Sequence, residues 1–255
     1  FSLSIAFAIM IAYSSYLPKK TDVVNSAFIT ATANHGFEVL AGIGVFSILG
    51  YMALQQGVGV ADVAGAGVGL AFITFPTAID ALPGMNGFFG VCFFLALFTA
   101  GITSFISIIQ AVVSGMQDKF GMAHKKAVTV VLVPAFLLSI FFVTGAGLLI
   151  LDIVDEFINK VGITACGLIE IILIAWFFRP EEIRKAANEF SNFSIGKWWT
   201  YTLKFLTVLI LGISLIITIV GYFKAGYGGY PVNLLLIFGL GSIIAVIVGA
   251  VVLTA

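Results

Sequence analysis

The chain alternates between long apolar runs and short polar breaks, and the runs exceed the length of ordinary soluble helices. Seven segments stand out, at roughly 1–17, 24–56, 86–117, 124–146, 148–178, 199–224 and 232–254. About 17–25 apolar residues make one helical crossing of a bilayer. In lipid every backbone polar group must be satisfied within the segment, which favours helices. The pattern therefore predicts an all-α fold: a polytopic membrane helical bundle, with residues 1–255 forming a single transmembrane domain. The first run, Phe1–Leu17, starts without a polar flank and ends at Pro18-Lys19-Lys20. It reads as beginning inside a span, so the chain is expected to be the C-terminal part of a longer protein. With no basic region ahead of it, Phe1 does not open a signal peptide.

The breaks differ in kind. Gly57–Asn86 holds eight Gly or Pro residues, two Asp and no cation. It predicts a long external loop with two short helices around Phe75-Pro76, a plausible lid. Pro180–Phe193 groups its charges and predicts an amphipathic helix on the cytoplasmic surface, lying at headgroup level. Ten of the twelve Lys/Arg fall on one side of a seven-span arrangement: Lys19, Lys20, Lys119, Lys125, Lys126, Arg179, Arg184, Lys185, Lys197 and Lys204. An excess of cations marks the cytoplasmic side.

Composition agrees. The chain is 61% hydrophobic and 9% charged, whereas soluble domains run about 45–50% and about 25%. Twelve acids balance twelve cations, so no polycation is present to grip nucleic-acid phosphates. Cys92 and Cys166 lie in apolar runs and read as small hydrophobes rather than a metal or disulfide pair. No Cys/His cluster, phosphate loop or nucleophile–base pair can be assembled, which argues against an enzyme. No internal repeat is evident, and an inverted repeat would have its other copy upstream.

Polar groups inside a span are costly and call for a reason. In the second run Asn34 and Glu38 are four apart and share a helix face. An amide oxygen and a carboxylate are hard ligands, suited to Na⁺ or a proton. His35 is turned about 100° from Asn34 and reads as a packing or interfacial histidine, not as a partner of Glu38. In the third run Thr99, Ala100, Gly101, Thr103 and Ser104 offer hydroxyls and an uncovered carbonyl to a small cation, although helix–helix hydrogen bonding accounts for the same spacing. Asp152, Asp155 and Glu156 fall at the outer mouth of the fifth run. Glu170 lies deeper, and its partner is expected upstream.

Six stretches, taken in order, resemble a known family. They are FSLSIAFAIMIAYSSYLPK, TATANHGFEVLAG, GLAFITFP, LFTAGITSFISIIQ, LDIVDEF and GLIEIILIAWFF. Together they resemble spans six to ten of the neurotransmitter:sodium symporters, and in particular bacterial amino-acid members such as the leucine transporter. The last two spans match by hydropathy only. The resemblance implies a twelve-span inverted-repeat transporter whose spans one to five lie upstream. It further implies Na⁺-coupled amino-acid symport, in a bacterial inner (plasma) membrane. The sixth span would be broken at its middle, with half-helix ends facing the substrate.

By the same resemblance Phe1, Ser4 and Phe7 line the substrate pocket, with Phe7 as an aromatic lid and Ser104 and Ile108 opposite. Ser2 and Asn34 ligate a first sodium; the Ala100 carbonyl and the Thr103 and Ser104 hydroxyls ligate a second. Asp155 resembles the outer gate acid, and Tyr16 with Asp118 the inner gate, their arginine partners being upstream. Glu38 stands where chloride-dependent relatives carry a serine beside the chloride, which implies chloride independence and proton counter-transport. The chain departs from the family at Ala6 and Ala8, where glycines are common. Alanine resists unusual backbone angles and adds methyl bulk. Other readings stay open: a binding but non-transporting relative, a different coupling ion, a channel, or a scaffold half.

Overall fold

The structure is a computed structural model and describes residues 3–63, 69–80, 82 and 84–254. Its helices are α1 (Ile9–Ser14), α2 (Val23–Gln56), α3 (Val60–Val63), α4 (Leu70–Asp80), α5 (Asn86–Phe120), α6 (His124–Phe141), α7 (Gly147–Phe177), α8 (Pro180–Glu189), α9 (Lys197–Ala225) and α10 (Val232–Thr254). Six of these, α2, α5, α6, α7, α9 and α10, are long and apolar enough to cross a membrane. The protein is a polytopic membrane helical bundle, and no strand occurs among the described residues. α2 has 34 residues, which at 1.5 Å each is about 51 Å. It outruns a hydrocarbon layer of about 30 Å and must tilt or project from it.

Local chemistry sets the ends. Asp22 caps α2, its Oδ1 accepting from the Asn25 N–H at 2.9 Å. α5 stops where Gly121 takes a φ of +59°, a region glycine enters at little cost. α8 begins with Pro180 in its first turn, followed by Glu181 and Glu182, a proline and two acids suited to the positive end of a helix.

Several expectations need correction. The first run yields only the six-residue α1 among the described residues. Before it the chain is unwound, and Ser4, Ala6 and Ala8 take φ of +54°, +66° and +58°. Left-handed geometry costs a non-glycine residue about 1–2 kcal/mol, so the alanines do not prevent the break but make it strained. Phe75-Pro76 is not a division between two helices. α4 runs through it, because the preceding Leu70–Thr74 turn is π-helical, with the Phe75 N–H bonded to the Leu70 carbonyl. That wider turn takes in a ring which lacks an N–H and would crowd the carbonyl four residues back. α5 also continues to Phe120 and carries Asp118 and Lys119 on the helix rather than in a loop.

Four more π-helical stretches interrupt the spans among the described residues: Ile158–Ile163 and Leu173–Phe177 in α7, Thr202–Thr207 in α9, and Leu235–Leu240 in α10.

The chain divides into two compact units, Phe1–Ala27 with Ile108–Ala255, and Phe28–Ser107. The first has its core where α7 meets α9 and α10. Ile153, Phe157 and Leu235 are buried there, with Tyr222, Tyr227, Tyr230 and Phe238 packed around them. The Phe157 ring stacks on Tyr222, centroids 4.8 Å apart, and α10 approaches that ring at Gly239. Elsewhere large apolar side chains such as Leu54 and Phe223 are exposed on the chain, as surfaces that face lipid or neighbouring spans require.

Candidate functional site

In the first unit the unwound stretch before α1 approaches α7 where the Ala6 methyl sits beside Gly167. Ser4 and Phe7 belong to this stretch. Phe1 and Ser2 lie outside the described residues. Ile108, in the same unit, is exposed on α5. At the other end of α1, Tyr16 meets α5: Gln110 Nε2 donates to the Tyr16 hydroxyl at 3.0 Å and to Ser114 Oγ at 3.2 Å. Asp118 sits one turn beyond Ser114 on the same face, and it makes no hydrogen bond or ion pair among the described residues. Gln110 was not singled out from the sequence. Its i,i+4 spacing to Ser114 was the available signal.

The N-terminal part of α7 distributes its three acids among different partners. Tyr227 and Tyr230 donate to the two oxygens of Asp152, at 3.2 and 3.0 Å. Tyr222 donates to Glu156 at 2.9 Å, and Lys160 pairs with the same carboxylate at 2.7 Å. Asp155 accepts a hydrogen bond from the Asn159 amide at 2.7 Å and pairs with no cation among the described residues. Burial, and then the charges of Glu156 and Asp152, push the Tyr227 phenol well above its ordinary pKa. Burial and the hydrogen bond to Asp152 raise that of Tyr230. Both tyrosines therefore remain protonated donors. Glu170 has no hydrogen bond or ion pair among the described residues.

In the second unit Asn34 Nδ2 donates to Glu38 Oε1 at 2.8 Å, as their shared face requires. His35 does reach Glu38, with Nδ1 3.3 Å from Oε2, which corrects the expectation that it points elsewhere. On a helix Glu38 projects between the two, about 40° from Asn34 and about 60° from His35. Neighbours at i,i+3 and i,i+4 both make contact.

On α5 the Thr103 hydroxyl donates to the Thr99 and Ala100 carbonyls, both at 3.0 Å. The Ala100 carbonyl is therefore not uncovered; a hydroxyl already lies against it. The Ser104 hydroxyl makes no hydrogen bond among the described residues. An open apolar groove of about 500 Å³ lies between α4 and α5, walled by Phe72, Phe94, Phe98 and Phe105. Among the described residues no group of three or more His, Cys, Asp or Glu could hold a metal ion. Around Asn34 and Thr103 the oxygens that could ligate a cation are hydroxyl, carbonyl and amide oxygens, with the Glu38 carboxylate.

A model of the sodium:neurotransmitter symporter family matches residues 1–255. The chain is 41% identical over 239 residues to an uncharacterized sodium-dependent transporter of Methanocaldococcus jannaschii, covering 94% of this chain and 48% of that one. It is 31% identical over 233 residues to the sodium-dependent dopamine transporter of Bos taurus, covering 90% and 34%. It is also 31% identical over 241 residues to the human sodium- and chloride-dependent neutral and basic amino acid transporter B(0+), covering 91% and 37%. The chain thus spans about half, or less, of the length of these relatives.

Proposed function

The chain belongs to the sodium:neurotransmitter symporter family, and from that premise we propose that it is part of a secondary active transporter coupling inward Na⁺ movement to amino-acid uptake. The observation that supports this most directly is the interrupted first span, with Ser4, Ala6 and Ala8 in left-handed geometry. Irregular backbone at membrane depth is tolerated where it lines a cavity, and transporters place substrate and coupling ions at such breaks. Phe1, Ser4, Phe7, Ser104 and Ile108 are proposed to contact the substrate. Ser2 and Asn34 are proposed to hold one sodium, and Ala100, Thr103 and Ser104 a second. The 3.0 Å between Ala100 O and Thr103 Oγ1 suits two oxygens facing one small cation, once the hydroxyl proton turns away.

Coupling has a physical scale. One elementary charge crossing 100 mV supplies about 2.3 kcal/mol, so two sodium ions supply several. Glu38 is proposed to carry the negative charge that chloride brings to other members, making transport chloride-independent, with proton counter-transport as its accompaniment. Asp155 is proposed as the outer gate, Tyr16 and Asp118 as the inner gate, and the upstream half of the transporter as their partner. The setting is a bacterial inner (plasma) membrane, with the ten cations on the cytoplasmic side.

The test uses the full-length protein in liposomes. Binding and uptake of a labelled amino-acid mixture are measured in Na⁺ and in K⁺ at equal ionic strength. Uptake in Na⁺ alone supports the proposal. Equal uptake in both refutes sodium coupling, and Na⁺-dependent binding without uptake assigns a receptor-like role.

A further inference from the structure

The segment following the broken span, Leu17–Asp22, is tied to a part of the chain 170 residues away. The Asn192 N–H donates to Asp22 Oδ2 at 2.8 Å, while the other oxygen of the same carboxylate caps α2 through Asn25 at 2.9 Å. Asp22 thus serves two backbone donors from different parts of the protein. These hydrogen bonds hold its carboxyl below the usual carboxylate range, the one from Asn192 contributing most.

Asn192 is not on a loose loop. The Asn188 side chain makes both an N–H···O and an O···H–N bond to the Ile195 backbone, at 2.9 and 2.8 Å. Arg184 donates to the Ile195 carbonyl at 3.0 Å and pairs with Glu181 at 2.9 Å. Glu181 also accepts from Thr200 of α9 at 2.9 Å, and Thr200 is buried. Charge-assisted bonds of this kind are the stronger ones. They make α8, residues 190–196 and the start of α9 one braced module.

We propose that Asp22 is a positioning residue: it clips the connector after the broken span to the α8–α9 module, so that the two move as one body when the inner side opens. The kinetic part of this inference rests on the transport reading above; the geometric part does not.

Asp22→Asn isolates the clip. An amide offers one acceptor oxygen in place of two, so only one of Asn25 and Asn192 can be satisfied. Asn192→Pro deletes the donor from the other side. Ser26→Ala is the control, since it removes a hydroxyl bonded to the Asp22 carbonyl at 2.7 Å and leaves both carboxylate contacts. Spin labels at Lys20→Cys and Lys185→Cys, in full-length protein with Cys92 and Cys166 replaced by alanine, report the connector–module distance. The parent and Ser26→Ala should give one narrow distribution. Asp22→Asn and Asn192→Pro should each broaden it, with the parental distance at least twofold less populated. Maximal uptake should fall at least threefold, with substrate affinity unchanged. Distributions in both variants that superimpose on the parent's would overturn the clip and leave Asp22 as a helix cap only. A parent that does not distinguish Na⁺ from K⁺ refutes the sodium reading instead, and leaves the variant comparison within one buffer intact.

Discussion

Gly239→Ala tests the packing that holds the N-terminal half of α7. A Cβ at this position would lie 2.8 Å from three atoms of the Phe157 ring, where ordinary contact begins near 3.4 Å. One of the three is Cγ, so rotating the ring does not relieve the contact; α7 and α10 have to part. The ring is also stacked on Tyr222, which limits its retreat. Overpacking of this kind costs about 1–3 kcal/mol. At roughly 2–4 °C per kcal/mol for a domain of 150–250 residues, the midpoint of thermal unfolding of the full-length protein in detergent should fall by about 2–12 °C. The cost should depend on the ring. In a Phe157→Leu background, where the side chain is shorter and turns more freely, the same glycine substitution should cost less than half as much. A Gly239→Ala protein as stable as its parent would refute the close approach of the two helices.

Replacing Thr103 and Ser104 together by alanine in the complete transporter should weaken apparent sodium affinity at least tenfold, about 1.4 kcal/mol; unchanged sodium dependence removes these hydroxyls from the coupling site. Glu38→Ser should create a chloride requirement for uptake, and chloride-free activity equal to the parent's would reject the charge-substitution idea. Asp22 and Glu181 both sit below the usual carboxylate range, the first chiefly through the Asn192 N–H and the second chiefly through the Thr200 hydroxyl. A lowered folded-state pKa contributes stability that is fully present above the unfolded value and lost as pH falls through the folded one. Hydrogen-exchange protection at the Asn25 and Asn192 amides, corrected for intrinsic rates, should hold from neutral pH through the ordinary carboxylate range and collapse only below it. Loss near neutrality would contradict the assignment.

The spans were legible because lipid imposes a length and a composition that a single sequence displays openly. The α8 helix was equally legible, since its charges cluster and Pro180 opens it. Ser4, Ala6 and Ala8 show the limit. Read by residue preference they resist a break, yet they adopt one, because backbone conformation here is not set by the local residue alone. Phe75-Pro76 failed for a related reason: proline disfavours an α turn, and a π turn is a third option that propensity arguments overlook. His35 was misjudged by measuring its angle from Asn34 rather than from Glu38. The acids of α7 were found but not their tyrosines, which come from 66 to 78 positions later, Tyr222 near the end of α9 and Tyr227 and Tyr230 in the glycine-rich turn after it. Contacts at that range leave no periodic trace. Asp22 and Asn192 left none either.

The π-helical stretches carry a consequence for how such chains diverge. Each accommodates one residue beyond what a regular α turn would hold, so each marks a place where a codon can be gained or lost without breaking the span. One residue corresponds to about 100° of rotation. Losing a residue from Ile158–Ile163 would restore regular α turns there and leave Asp155 before it and Glu170 after it facing as they do now, because the wider turn already absorbs the extra residue. An ungapped comparison of two relatives across that stretch would then pair side chains that face different directions.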